Sequence, residues 1–129
     1  MRRSVRDESG AALVEFAIAA PMLIFLILGM VEFAEMYRRY QVLTDTAREG
    51  VRRAVVSTGP DSATVVTIVK DRLKDQGITP RVVTVHGLSG GYGAPATVRI
   101  EYDYPFSFVS GFMGPVKVPL KTQARMRIE

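Results

Sequence analysis

The sequence predicts an α+β protein in which a long N-terminal transmembrane helix extends into an extracytoplasmic domain with a second helix and a three-stranded antiparallel sheet. An apolar run from Ala11 to Val31, broken by one acid, is long enough for a membrane helix. Apolar residues then recur every three or four positions up to Val55, which is the helical period. From Arg81 onward, short segments alternate between apolar and polar residues, as strands with one buried face do.

The composition limits the possible functions. The chain has 129 residues, so the part outside the membrane can form only a small core, and the long helix should contribute to it. The net charge of +4 is mild and its basic residues are scattered, so we expect no nucleic-acid partner. Cysteine is absent, which excludes disulfides, thiol catalysis and cysteine-bound metals.

The apolar run is the first element. About 20 helical residues, at ~1.5 Å each, cross the ~30 Å hydrocarbon core of a bilayer. Arginines 2, 3 and 6 precede the run and favour a cytoplasmic N-terminus, although Arg38 and Arg39 follow it on the other side. A secretory signal peptide is the alternative, but the run is longer than usual, carries Glu15 inside it and leads into Glu32 and Glu35 without an Ala-x-Ala site at its end. Pro21 lies inside the run, and membrane helices tolerate proline.

The same helix is expected to continue beyond the membrane. One stripe holds its apolar residues: Phe33, Met36, Tyr37, Tyr40, Leu43, Ala47, Val51, Ala54 and Val55. Charged residues, including Arg38 and Arg39, lie mostly on the other side. Gly59 and Pro60 are a plausible stop, so the helix should run from about Ala11 to Ser57, or ~70 Å.

The remaining elements follow in order. A second helix opens at Asp61 or Ser62 and ends near Gly77. Three strands are predicted, at 81–86, 96–104 and 116–128, and Pro119 is a candidate break in the last. The connections are too short for crossover helices, so the sheet should be antiparallel. The stretch from Pro105 to Pro115 is predicted as an apolar connection.

Glu15 is the sharpest candidate for a functional residue. A charge inside a membrane helix costs ~2.5–3.5 kcal/mol on insertion scales, so it usually has a partner or a function. Glu15 could be neutralised by protonation or reach the headgroups instead. If the chain were cut after Gly10, however, the new ammonium of Ala11 would lie four residues from Glu15, on the same helix face. The carboxylate could then pair with its own amine or with that of a neighbouring copy.

The segment Gly10-Ala-Ala-Leu-Val-Glu15-Phe resembles the processing site of type IV prepilins and pseudopilins, with a glycine before the cut and a glutamate at the fifth mature position. A longer pattern is more specific. Val14-Glu-Phe-Ala17, Pro21, Gly29, Glu32-Phe33 and Ala47-Arg-Glu-Gly-Val-Arg52 are similar to the TadE-like family, the pseudopilins of tight adherence (Flp-type) pilus systems. Tyr102-Asp-Tyr-Pro105 and the closing Ala124–Glu129 segment also resemble that family.

The resemblance implies a minor pilin-like subunit that is cut by a prepilin peptidase and takes part in pilus assembly. Gly10 and Ala11 would be the cleavage pair, and Glu15 the recognition and assembly acid. Ala11 departs from the aromatic residue that many pilins carry there. The implied organisation is a leader at 1–10, a transmembrane helix at 11–32 and an extracytoplasmic pilin-like domain at 33–129. The protein would be single-pass in the cytoplasmic membrane, with other pilin and pseudopilin subunits as partners.

The other candidates are weaker. Glu32 could lie in the headgroups or pack between subunits, and Phe106, Phe108 and Phe112 could form a satellite core or an exposed patch that meets a subunit or the membrane. One histidine, His86, makes a metal site improbable, and no set of nucleophile and base is visible, so we expect neither a catalytic residue nor a cofactor. Two rival functions are a single-span binding module that is not processed and a small membrane enzyme.

Overall fold

A computed structural model describes residues 4–56 and 61–128 of the chain. In chain order, its elements are α1 (Ser4–Val56), α2 (Ser62–Asp75), β1 (Val82–His86), β2 (Pro95–Phe106), α3 (Ser107–Met113) and β3 (Val116–Arg127). The predicted α+β class, with a long apolar N-terminal helix and a three-stranded antiparallel sheet, is confirmed. The chain divides into two compact units, Met1–Ala34 and Glu35–Glu129.

The first unit contains the apolar run of α1 and the polar residues that precede it. The helix begins at Ser4, seven residues before the predicted start, and continues through Pro21. Its large apolar side chains between Leu13 and Phe33 are 39–70% exposed, so the chain itself does not cover them. Among the described residues, one helix is long and apolar enough to cross a membrane, and it is this one. An N-terminal helix of this kind fits a single-pass membrane anchor.

The second unit holds the hydrophobic core. Helix α1 contributes Leu43, Ala47 and Val51, all at most 1% exposed, followed by Ala54 and Val55. The predicted stripe is therefore buried from Leu43 onward, while Tyr37 and Tyr40 remain exposed. Helix α2, the inner face of β2 and Leu120 of β3 complete the same core. As expected for so small a domain, the long helix supplies part of its core.

Helix α2 ends as its sequence predicts. Gly77 has a φ of 69°, and the N–H of Gly77 donates to the carbonyl of Lys74 at 2.9 Å. The N–H of Ile78 donates to the carbonyl of Leu73, also at 2.9 Å. This pair of bonds is the Schellman arrangement, in which glycine supplies the left-handed residue. Asp61 is the N-terminal cap residue, but its side chain makes no capping bond.

The sheet has the order β1-β2-β3, and both neighbouring pairs are antiparallel. Strand β2 buries Val98, Ile100 and Tyr102 and directs the intervening residues outward, as their alternation predicts. Strand β3 runs without interruption through Pro119, which pairs with Asp103. Because β3 is an edge strand, a residue without an N–H is tolerated there. The suggested break at Pro119 is therefore wrong.

The connection between β2 and β3, predicted only as apolar, contains a short helix that the sequence did not indicate. Seven of its residues form the short helix α3, which contacts both neighbouring strands. The Ser110 hydroxyl donates to the Phe106 carbonyl, and the Val116 N–H donates to Ser110 Oγ at 3.1 Å. Gly114 ends the helix with a φ of 85°. The predicted stop at Gly59 and Pro60 lies outside the described residues.

Candidate processing and assembly segment

The predicted cleavage pair lies on an open part of α1. Gly10 and Ala11 are both exposed. Among the described residues, no atom lies within 4 Å of the position that a Cβ on Gly10 would occupy, apart from its chain neighbours and the helix backbone around it. Both residues have helical backbone, because α1 begins at Ser4. The fold of this chain therefore leaves the bond between Gly10 and Ala11 accessible, while its helical backbone would have to open for a peptidase to cut it.

Glu15 and Glu32 are the two acids within the first unit that the sequence singled out. Glu15 is exposed, and it is surrounded along the helix by exposed apolar side chains such as Val14 and Phe16. Glu32 is half-buried. Glu15 lies one helical turn from Ala11, as the spacing of four residues requires. The structure thus brings the predicted cleavage pair and Glu15 together on one helix, and it leaves the Glu15 carboxylate open to a neighbouring molecule.

A compact charge network begins just beyond the apolar run, in the second unit. The Glu35 carboxylate accepts hydrogen bonds from Nε of Arg38 and Nε of Arg39, both at 2.9 Å. These bonds, first that from Arg38 and then that from Arg39, lower the pKa of Glu35 from 4.5 to about 2. Glu35 therefore stays ionised over the whole range of pH in which a cell operates. The network fixes two guanidinium groups at the start of this unit.

Arg39 joins this network to the sheet. Its Nη1 donates to the Tyr102 hydroxyl at 3.1 Å, and its guanidinium carbon lies 5.8 Å from the centroid of the Tyr104 ring. The side chain of Arg39 is 26% exposed, whereas that of Arg38 is 58% exposed. The sequence placed both arginines on the solvent side, and for Arg39 that placement is wrong. The available signal in the sequence was the alternation along β2, which directs Tyr102 and Tyr104 toward the core.

Gly50 has a packing role that the sequence did not reveal. A Cβ at this position would lie 2.6 Å from Cγ2 of Val69 and 3.6 Å from Cγ1 of Val98. Glycine thus lets α2 and β2 approach the α1 backbone closely. From local propensity alone, a glycine at position 50 indicates only a helix weakened by ~1 kcal/mol relative to alanine. A glycine on the apolar stripe, where a larger side chain is expected, was the signal for close packing.

The phenylalanines of the apolar connection are only partly in the core. Phe106 is half-buried, packs against the core and meets the Tyr104 ring edge-on at 5.6 Å between centroids. Phe108 is also half-buried. The Phe112 side chain lies outside the described residues. Met113, at the end of α3, is 81% exposed. The connection is therefore anchored in the core at one end and open at the other.

Together, these features define a class: an α+β protein whose long N-terminal apolar helix fits a single-pass membrane anchor and also supplies part of the core of a small domain. Within this class, residues 10–52 match the family model described as TadE-like protein. The resemblance seen in the sequence is thereby confirmed over this segment. The match begins at Gly10 and includes Glu15, Glu35, Arg39 and Gly50. Searches of the curated proteins and of the solved structures found no match to the chain.

Proposed function

We propose that this chain is a pseudopilin-like subunit that is processed after Gly10 and takes part in assembling a tight adherence pilus. The match of residues 10–52 to the TadE-like family carries the proposal, because that family is associated with such pilus systems. In this proposal the chain has a structural role and no enzymatic one. Its N-terminus lies in the cytoplasm, residues 11–32 span the cytoplasmic membrane, and the domain from residue 33 onward is extracytoplasmic.

The proposed mechanism has two steps. A prepilin peptidase removes the leader, and with it Arg2, Arg3, Arg6, Asp7 and Glu8, a net loss of one positive charge. The new ammonium of Ala11 then pairs with Glu15 of the same chain or of a neighbouring subunit. In the low dielectric of the membrane this pairing offsets the cost of the buried carboxylate. Lateral packing of the apolar helices would hold pilin and pseudopilin subunits together.

The first experiment is the intact mass of the protein recovered from its native membranes. We expect a chain that begins at Ala11. The Gly10→Leu variant should keep its leader, because a bulky side chain replaces the glycine at the cleavage site. Gly29→Leu is the matched control: Gly29 is also an exposed glycine of α1 with open space around its Cβ position. A wild-type chain that begins at Met1 would support the alternative, an unprocessed single-span binding module.

The second experiment separates insertion from assembly. Glu15→Ala should insert into membranes at least as well as the wild type, because it removes a group that costs ~2.5–3.5 kcal/mol on insertion scales. It should nevertheless reduce the yield of pili sharply. Val14→Ala, a change at the exposed apolar neighbour, is the control and should assemble normally. Normal pili in the Glu15→Ala strain would exclude the proposed role of this carboxylate.

A further inference from the structure

The apolar connection between β2 and β3, residues 105–115, has an unusual composition for a segment with exposed residues. It contains no charged residue and holds three phenylalanines, one valine and one methionine. Phe106 fixes one end of it to the core, and Met113 is 81% exposed at the other. Since α3 also contacts β3, the segment is a folded element, and Met113 is a strongly exposed apolar side chain on it.

The position of the apolar connection within the second unit follows from the contacts of Arg39. This arginine contacts Tyr102 and Tyr104, and Phe106 follows at the end of β2. Further along α1, Gly50 lies beside Val98, near the other end of β2. The apolar connection thus lies at the end of this unit that holds residues 35–39. By connectivity, this is also where the chain enters from the apolar run, since Arg39 follows Phe33 by six positions.

The side chains around this end have the chemistry of a bilayer interface. Tyr37 and Tyr40 are 54% and 38% exposed, and the Arg38 side chain is 58% exposed. Tyrosine is enriched at the level of the headgroups, and long cationic side chains reach toward them while their stems contact apolar material. Exposed tyrosine, arginine and methionine on one end of a domain tethered to a membrane helix match a lipid surface.

We propose that the apolar connection docks on the surface of the bilayer, with Met113 among the lipid headgroups and upper acyl chains. The partner that contacts the apolar connection is phospholipid of the membrane that holds the apolar run. The proposal requires a membrane anchor, but it is independent of cleavage after Gly10 and of pilus assembly. Docking would give the outer domain a second attachment to the membrane and restrict its orientation there.

The chain has no tryptophan, so single-tryptophan variants report one site each without background. The test uses the full chain in vesicles of phosphatidylcholine and phosphatidylglycerol, with and without brominated acyl chains. Met113→Trp is the probe. Tyr92→Trp is the matched control, because Tyr92 is 91% exposed in the connection between β1 and β2. Both positions are exposed, so neither change should disturb the core.

We expect the tryptophan at position 113 to emit at shorter wavelength than that at position 92 and to lose most of its emission to brominated lipid. Position 92 should retain its emission. Equal quenching at the two positions would overturn the proposal. It would also be overturned if shielding at position 113 increased with the ratio of protein to lipid while brominated lipid had no effect, because a second copy of the chain would then be the occupant.

Discussion

Gly50 illustrates how a single residue sets the distance between elements. An alanine there gains about 1 kcal/mol of helix propensity. Its Cβ, however, would lie 2.6 Å from Cγ2 of the buried Val69, and such overpacking typically costs about 1–3 kcal/mol. We therefore expect Gly50→Ala to destabilise the second unit by roughly 1 kcal/mol. Thermal unfolding followed by the near-ultraviolet circular dichroism of the tyrosines would measure this in detergent.

The control for this prediction is a double-mutant cycle with Val69→Ala. Val69→Ala alone should destabilise the domain because it leaves a cavity. In the double variant, the new methyl group of residue 50 has room, so the combined loss should be smaller than the sum of the two single losses. Strict additivity of the two changes would show that the contact between Gly50 and Val69 is not the reason for glycine.

Because of the Glu35 carboxylate, we expect part of the stability of the folded second unit to be lost in acid. Its pKa is lowered in the folded protein from 4.5 to about 2. Its ion pairs therefore stabilise the fold fully above pH 4.5, and this contribution is lost as the pH falls through about 2. Glu35→Gln should lower the melting temperature at neutral pH, and its difference from the wild type should shrink over that acid range.

Asp45→Asn is the control for the Glu35 prediction. Asp45 pairs with Arg48 on the same helix at 3.6 Å, but both side chains are more than 70% exposed. Exposed pairs of this kind contribute little, so the variant should follow the wild type at neutral pH. If Asp45→Asn lowered the melting temperature at neutral pH as much as Glu35→Gln does, the ion pairs of Glu35 would contribute no more stability than an exposed pair.

At the scale of residues, the sequence predicted what depends on local periodicity. Leu43, Ala47 and Val51 were expected on one stripe, and they are buried. The roles of Arg39 and Gly50 could not be read in the same way. Each depends on a partner far along the chain: Tyr102 for Arg39, and Val69 and Val98 for Gly50. A local pattern shows that a residue faces inward, but not what it meets there.

At the scale of elements, the attachment of α1 to β2 through Arg39 can be tested. Arg39→Met keeps much of the apolar stem but removes the bonds to Glu35 and Tyr102. Hydrogen bonds to charged groups contribute about 1.5–3 kcal/mol, and the partial exposure of Arg39 reduces this to roughly 1–2 kcal/mol. The same unfolding measurement should therefore show a clear loss of stability for this variant.

Arg38→Met is the control for Arg39→Met, since it changes the neighbouring residue in the same network. Its side chain is 58% exposed, and among the described residues its hydrogen bonds go to Glu35 and not to a tyrosine. Exposed ion pairs contribute up to about 1 kcal/mol, so Arg38→Met should lose less stability than Arg39→Met. If the two variants lost the same stability, the contacts of Arg39 with the tyrosines would carry no weight.

Two elements show why a sequence pattern can fail. Helix α3 has only seven residues, contains Gly111 and lies between two prolines, so neither length nor periodicity indicated a helix. Contacts with β2 and β3 hold this helix in place. Strand β3 was wrongly expected to break at Pro119, because the sequence does not show which strand is at an edge. Once the order β1-β2-β3 is known, the proline is unremarkable.

At the scale of the whole molecule, composition and periodicity sufficed for the fold class, because few arrangements can bury one apolar stripe and one sheet face in so short a chain. The candidate site is different. In the proposed function its chemistry would depend on a peptidase and on neighbouring subunits, and the structure of one chain does not show them. Glu15 was noticed as an acid inside an apolar run, whereas its role and the cleavage pair of Gly10 and Ala11 rest on the resemblance. The family match covers that segment.

The last prediction compares two fragments, one with and one without the part of α1 that contributes to the core. Residues 35–129 contain the whole described core, whereas residues 61–129 lack the part of α1 that supplies Leu43, Val51 and Val55. Each of these buried side chains contributes about 1.5–3 kcal/mol. Together they approach the roughly 5–15 kcal/mol by which most domains are stable.

We expect the longer fragment to unfold cooperatively and to protect the amide hydrogens of β2 from exchange. The shorter fragment should show no such protection, and Leu43→Ala in the longer one should be intermediate. Protected β2 amides in residues 61–129 would show that the sheet and α2 form a core without α1.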